Sequence, residues 1–142
     1  MELKDRNKSV LYEFVEAVNT QNWEKIDELV ADDFIRHSYA AGEPKIASRE
    51  QLKQFLRREF ETFPDAQETI EDIVCEEDKV AVRHRLRGTQ LGAMGSFPAS
   101  GKVLCADYIA IYRLKKGKII EAWAEWDNLH GLVQLGHYTS PA

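Results

Sequence analysis

In the N-terminal half of the chain, apolar residues recur with a helical period. Residues 8–20, KSVLYEFVEAVNT, place Val10, Leu11, Phe14, Ala17 and Val18 on one stripe. Residues 22–31, NWEKIDELVA, repeat the pattern with Trp23, Ile26, Leu29 and Val30, and Asn22 is suited to the N-cap. A third helix opens at Ser48, where S-R-E-Q fits a capping box. It runs through Leu52, Phe55, Leu56 and Phe60 until Pro64, which cannot continue a helix. Between the second and third helices, DDFIRHSY is short and mixed, a strand or a turn.

Beyond Pro64 the period changes to that of strands. QETIEDIVCEE, DKVAVRHRLRGTQ, KVLCADYIAIYRLK and KIIEAWAEWD read as four strands. They are joined by EEDK, by the glycine-rich LGAMGSFPASG, and by KKGK, which suits a hairpin. Helices first and an antiparallel sheet after them define an α+β class in one domain, residues 1–142. Three amphipathic helices are available to cover one sheet face.

Parity sorts the faces. Val80, Val82, His84 and Leu86 oppose Ala81, Arg83, Arg85 and Arg87, and three arginines are too costly for a dry core. The His84 side is therefore expected to meet the helices. In the next strand both sides are largely apolar, and an outer face carrying Tyr108, Tyr112 and alanines suggests a partner subunit. The last strand sets Glu121, Trp123, Glu125 and Asp127 on one side and Ala122, Ala124 and Trp126 on the other. With the alanines against a partner, the acids point toward the helices. That arrangement requires an internal pocket, where apolar walls raise carboxyl pKa values and make them competent bases.

Composition narrows the possibilities. The chain of 142 residues is 44% hydrophobic and 30% charged, which suits a globular domain. A net charge of -5 argues against a nucleic-acid backbone or an anionic membrane as partner. No apolar run approaches the ~20 residues of a membrane span, and MELKDRNKSV lacks the apolar core of a secretion signal, so a cytoplasmic protein is expected. Cys75 and Cys105 form no metal-type spacing and are expected to be buried reduced thiols.

GKIIEAWAEWDNLHGLVQLG, preceded by GTQLGAMGSFPASGK, resembles the SnoaL-like polyketide cyclases, among them proteins labelled ester cyclases, within the fold family of nuclear transport factor 2. The similarity extends back through FPDAQETIEDIVCEEDKVAVR to NTQNWEKIDELVADDFIRHS. It implies a cone-like α+β barrel: a curved antiparallel sheet wrapped around the three N-terminal helices with an internal pocket. It also implies a homodimer through the sheet and a small hydrophobic carbonyl-containing substrate. In such cyclases the aspartate matching Asp127 is the general acid/base, and no metal or organic cofactor takes part. It removes a proton from a carbon between carbonyl groups, and an intramolecular aldol addition closes the ring. Ser100 stands where the family usually has threonine, Gln90 where many members have histidine, and Glu125 where relatives often carry a small or apolar residue.

Asp127 thus has two readings, acid/base in a pocket or N-cap of a helix at 128–136, with Asn128 the other capping candidate. His37, which follows the second helix, is the second catalytic candidate because histidine titrates near neutrality. His84, Trp123, Glu125 and Arg113 are expected to contact substrate. The plainer alternatives are a satisfied core histidine, a core aromatic, a solvated acid, and an ion pair of Arg113 with Asp107 or Glu121. Phe55, Phe60 and Phe63 read as core, and His130 and His137 as surface. Two other functions fit the same residues: an epoxide-type hydrolase, or a module that binds a small molecule without turning it over.

Overall fold

The computed structural model describes residues 2–140. Its elements run α1 (Leu3–Asn19), α2 (Trp23–Leu29), β1 (Val30–His37), α3 (Arg49–Thr62), β2 (Gln67–Glu76), β3 (Lys79–Thr89), β4 (Val103–Lys115), β5 (Lys118–Glu125) and α4 (Asn128–Gln134). The caps are those the sequence suggests. Asn22 accepts the Lys25 N–H at 3.1 Å, and Ser48 accepts the Gln51 N–H at 3.1 Å. Gln51 reaches back to the Ala47 N–H at 2.7 Å, so its side chain satisfies a further donor ahead of the helix. Helix α1 starts five residues before the apolar stripe, because its polar first turn needs no buried partner.

The five strands form one open, curved sheet in the order β1-β5-β4-β3-β2. Four strands pair antiparallel, but β1, the stretch left open between strand and turn, pairs parallel to β5. The sheet is therefore mixed rather than wholly antiparallel. The β4–β5 hairpin closes on Lys116 and Gly117, at φ 52° and 77°. Positive φ at both central residues matches the twist of the flanking strands.

Helices α1 to α3 cover one face. Val10, Leu11, Phe14, Leu52 and Leu56 pack with Val80, Val82, Ala110, Tyr112, Ala122 and Ala124 in the main core. A smaller core of Phe63, Ala66, Leu86, Leu104 and Leu135 lies apart, with Phe60, Met94 and Trp126 against it. The His84 side of β3 faces inward, as parity indicated. The faces of β4 and β5 are the reverse of the expectation. Val82 pairs with Ala110, His84 with Tyr108, and Tyr112 with Ala122, so the tyrosines and alanines turn toward the helices. Ile109, Ile111, Trp123 and Glu125 turn outward. The reason is packing: alanine side chains on β5 leave room for the helices, which glutamates could not.

Cys75 is half-buried and Cys105 exposed, and both are free thiols, contrary to the expectation that they are buried. Among the described residues, no helix is long and apolar enough to cross a membrane.

Candidate functional site

The residues singled out from the sequence fall into three places. On the outer face, β1 and β5 bring His37 beside Glu121, with Nε2 to Oε2 at 2.7 Å. Arg113 donates to the same carboxylate from β4, its Nε at 3.1 Å. Trp123 stacks on the His37 ring, centroids 5.4 Å apart, and Glu125 accepts the Tyr39 N–H at 3.2 Å. Arg113 first, then His37, holds the Glu121 carboxyl below its ordinary range. His37, Arg113, Trp123 and Glu125 are thus assembled, but on the sheet surface away from the helices, and Arg113 makes the plainer ion pair.

Asp127 is the N-cap of α4: its Oδ1 accepts the His130 N–H at 2.9 Å and the residue is exposed. Neither it nor Glu125 points between helices and sheet as the parity argument required.

The third place is the interior, where His84 is the one predicted residue. Its Nε2 lies 2.9 Å from the Tyr112 hydroxyl. Its ring is fully buried, and burial pushes its pKa down to about 4, so it is neutral at pH 7. Tyr108, on the neighbouring strand, stacks on it with centroids 4.4 Å apart and planes 11° apart. Trp126, just past β5, stacks on Tyr108 at 3.9 Å and 19°. Cross-strand neighbours on one face stand within contact range, so three strands build a ladder of parallel rings.

The Tyr108 hydroxyl donates to Glu68, near the start of β2. Asn19, the last residue of α1, clamps that point: it accepts the Glu68 N–H at 2.8 Å and donates to the Glu68 carbonyl at 2.9 Å. Glu59, on the apolar stripe of α3, faces the same void as Glu68. Burial raises Glu68 to about 7, with the Tyr108 hydrogen bond and the Arg36 charge acting against it. Burial raises Glu59 to about 8, reinforced by the charges of Glu68 and Glu43 and opposed by Arg36. Arg36 cannot neutralise them fully, because it pairs with Glu43 at 3.0 Å while lying over the Phe55 ring.

The void that faces the two acids is far smaller than the roomy pocket expected from the sequence. The void beside Glu59 and Glu68 measures ≈ 10 Å³ and is lined by Val18, Asn19, Phe60, Ala66 and Leu86 as well. That is room for about one water. A wider surface depression of ≈ 430 Å³, lined by Gly136, His137, Tyr138 and Thr139, contains no carboxyl side chain. Gln90 is buried but works on the loop after β3, donating to the Gly92 and Pro98 carbonyls and bonding His137 at 2.7 Å. Among the described residues, no group of three or more His, Cys, Asp or Glu could hold a metal ion.

Two polar atoms in this interior have no partner: His84 Nδ1 and Trp126 Nε1. Sequence reasoning missed Glu59, Glu68, Tyr108 and Trp126. A signal existed for the acids. Glu59 continues the stripe Leu52, Phe55, Leu56, and Glu68 shares strand parity with Ile70, so each is an acid at an apolar position. What arises is a pair of half-buried carboxyls whose proton affinity burial raises, one of them hydrogen-bonded to a phenol, a pairing suited to taking and returning protons.

A family model described as SnoaL-like polyketide cyclase matches residues 9–135. Wild-type IdmH from Streptomyces antibioticus, described as a candidate polyketide cyclase, is 29% identical, with 92% of this chain and 98% of that one covered at a TM-score of 0.80. A candidate SnoaL-like polyketide cyclase from Jannaschia sp. CCS1 is 20% identical, with 98% and 97% covered at a TM-score of 0.86. An LEH-like epoxide hydrolase of M. tuberculosis is 15% identical, with 95% and 98% covered at 0.72. The last two likenesses concern the fold alone. No curated protein matches the chain.

Proposed function

Since the chain belongs to the SnoaL-like polyketide cyclase family, we propose that it is an acid–base enzyme of cyclase type acting on a small apolar carbonyl compound, with Glu68 and Glu59 as its working carboxyls. The observation that carries this reading is the pair of half-buried acids that face one void, their pKa values raised by burial to about 7 and 8. At pH 7 Glu68 is substantially ionised and Glu59 largely protonated, which divides the roles. Ionised Glu68 takes the proton from a carbon flanked by carbonyls, leaving an enolate. The enolate carbon bonds to a second carbonyl carbon of the same molecule. That carbonyl's π electrons move to its oxygen, which takes the proton of Glu59. Proton return from Glu68 to Glu59 restores the site. The void beside the acids must widen to admit substrate.

A second reading draws on the water-sized void beside the two acids. A water held there could be activated for epoxide-type hydrolysis. Asp127, the acid that family resemblance selects, is the rival proton carrier for either chemistry, at the outer end of β5.

The test is deuterium exchange at the carbon between the carbonyls of a panel of β-keto esters, followed by NMR. Glu68→Gln is expected to lower the catalysed rate ~10²-fold or more, while Asp127→Asn, which preserves the cap, leaves it near wild type. The opposite pattern moves the chemistry to Asp127. Binding of the esters without exchange in the wild-type protein leaves a binding module.

We further propose a homodimer through the outer sheet face, where Ile109, Ile111 and Trp123 are 58%, 40% and 37% exposed between the Arg83–Asp107–Arg85 and Arg113–Glu121 ion pairs. Free thiols at Cys75 and Cys105 suit a reducing compartment such as the cytoplasm.

A further inference from the structure

The Trp126 indole is the part of the interior that the acid–base scheme leaves unused. Its Nε1–H is buried and meets no acceptor among the described residues. An indole nitrogen can only donate, so nothing but an incoming acceptor can satisfy it. His84 Nδ1, also unpartnered, is less selective, because a neutral imidazole nitrogen donates or accepts according to its tautomer. An unpaired buried donor is costly to maintain and calls for an explanation.

Geometry ties the indole to the acids. Trp126 is stacked on Tyr108, and the Tyr108 hydroxyl is bonded to Glu68. Ala66 and Leu86, which line the void beside Glu59 and Glu68, also belong to the cluster against which Trp126 packs. Tyr108 stacks on the indole with planes 19° apart. A donor with no partner of its own, in place before the substrate arrives, suits a developing oxyanion.

Building on the acid–base reading above, we propose that Trp126 Nε1–H is the donor for the substrate's carbonyl oxygen, strengthening its hydrogen bond as that oxygen becomes an enolate while Glu68 takes the neighbouring proton. The class of ligand follows. It is planar and conjugated, slides against the ring ladder, and carries an oxygen acceptor at its edge. It does not carry an ammonium or hydroxyl hydrogen at that point, because two donors would then face each other.

The experiment uses Trp126→Phe, which keeps an aromatic ring in the ladder and removes the N–H, and a cyclic β-diketone, an enolate at neutral pH, as probe. The chain has three tryptophans, Trp23, Trp123 and Trp126, so the indole signal missing from the variant's proton–nitrogen spectrum is that of Trp126. Should this variant fail to fold, Trp23→Phe and Trp123→Phe give the same assignment by elimination. Titration with the diketone is expected to move the Trp126 indole proton downfield and leave the other two in place. Trp126→Phe is expected to weaken probe binding ~10-fold or more and to slow keto-ester exchange ~10²-fold. The assignment is overturned if the Trp126 signal stays still on addition of millimolar probe, or if Trp126→Phe binds probe like wild type. A moving Trp126 signal in a protein that catalyses no exchange upholds the donor and removes the acid–base reading instead. Exchange that is lost in Glu68→Gln but unchanged in Trp126→Phe does the reverse.

Discussion

Glu59 and Glu68 are half-buried around a void that apolar side chains also line, and the protein retains them at a cost. Both carboxyls have folded-state pKa values above the ordinary 4.5, at about 8 and about 7. Below pH 4.5 the folded and unfolded chains are protonated alike and there is no penalty. As pH rises toward 8 the unfolded chain releases protons that the folded chain retains, so stability falls through that window. Glu59→Gln is therefore expected to raise the melting temperature at pH 8 and to leave it nearly unchanged at pH 4. Thermal denaturation of both proteins at the two pH values checks this, and an equal effect at both would show that Glu59 is not held protonated. His84 bears on the opposite limb: its pKa is depressed to about 4, so its contribution is lost as pH falls from about 6.5 through that value.

At the scale of elements, the helices were legible because their signals are local. The stripe spacing, the Asn22 and Ser48 caps and the stop at Pro64 all concern residues within a turn or two of each other. The β4–β5 hairpin was legible for the same reason. Strand faces were not. Parity divides a strand into two sets, but which set meets the helices depends on a neighbour far along the chain. For β3 the arginines decided it; for β4 and β5 both sets were plausible, and the alanines went inward. Asp127 sat on the same ambiguity, and the structure realises its capping alternative. The cap yields an expectation of its own. Asp127→Ala should lower stability by ~1 kcal/mol in chemical denaturation, whereas Asp127→Asn, an equally good cap, should lower it by only a few tenths. Equal losses would mean that the carboxylate charge rather than the capping bond matters.

For the whole molecule, the exposed strip of Ile109, Ile111 and Trp123 makes assembly testable. Ile109→Glu places a charge in the middle of the strip, and the pair it forms with its own copy across a two-fold would repel. Light scattering is expected to give twice the chain mass for wild type and the single mass for the variant. A wild-type protein already at single mass removes the dimer from consideration. The interior is also joined across elements: the ladder of His84, Tyr108 and Trp126 is tied to Glu68 through the Tyr108 hydroxyl.

From sequence alone came the α+β order, the helix boundaries to within a few residues, the hairpin, the inward face of β3 and the family resemblance. Each of these is written in short-range spacing or in a contiguous motif. Tertiary structure alone decided that β1 runs parallel to β5, that the acids of β5 lie on the outer face, and that the acids sharing a void with apolar side chains are Glu59 and Glu68. Those outcomes arise where segments distant in sequence come together: a carboxyl's proton affinity is set by the apolar surface folded around it, and one spacing of charges along a strand serves an outer face as well as an inner one.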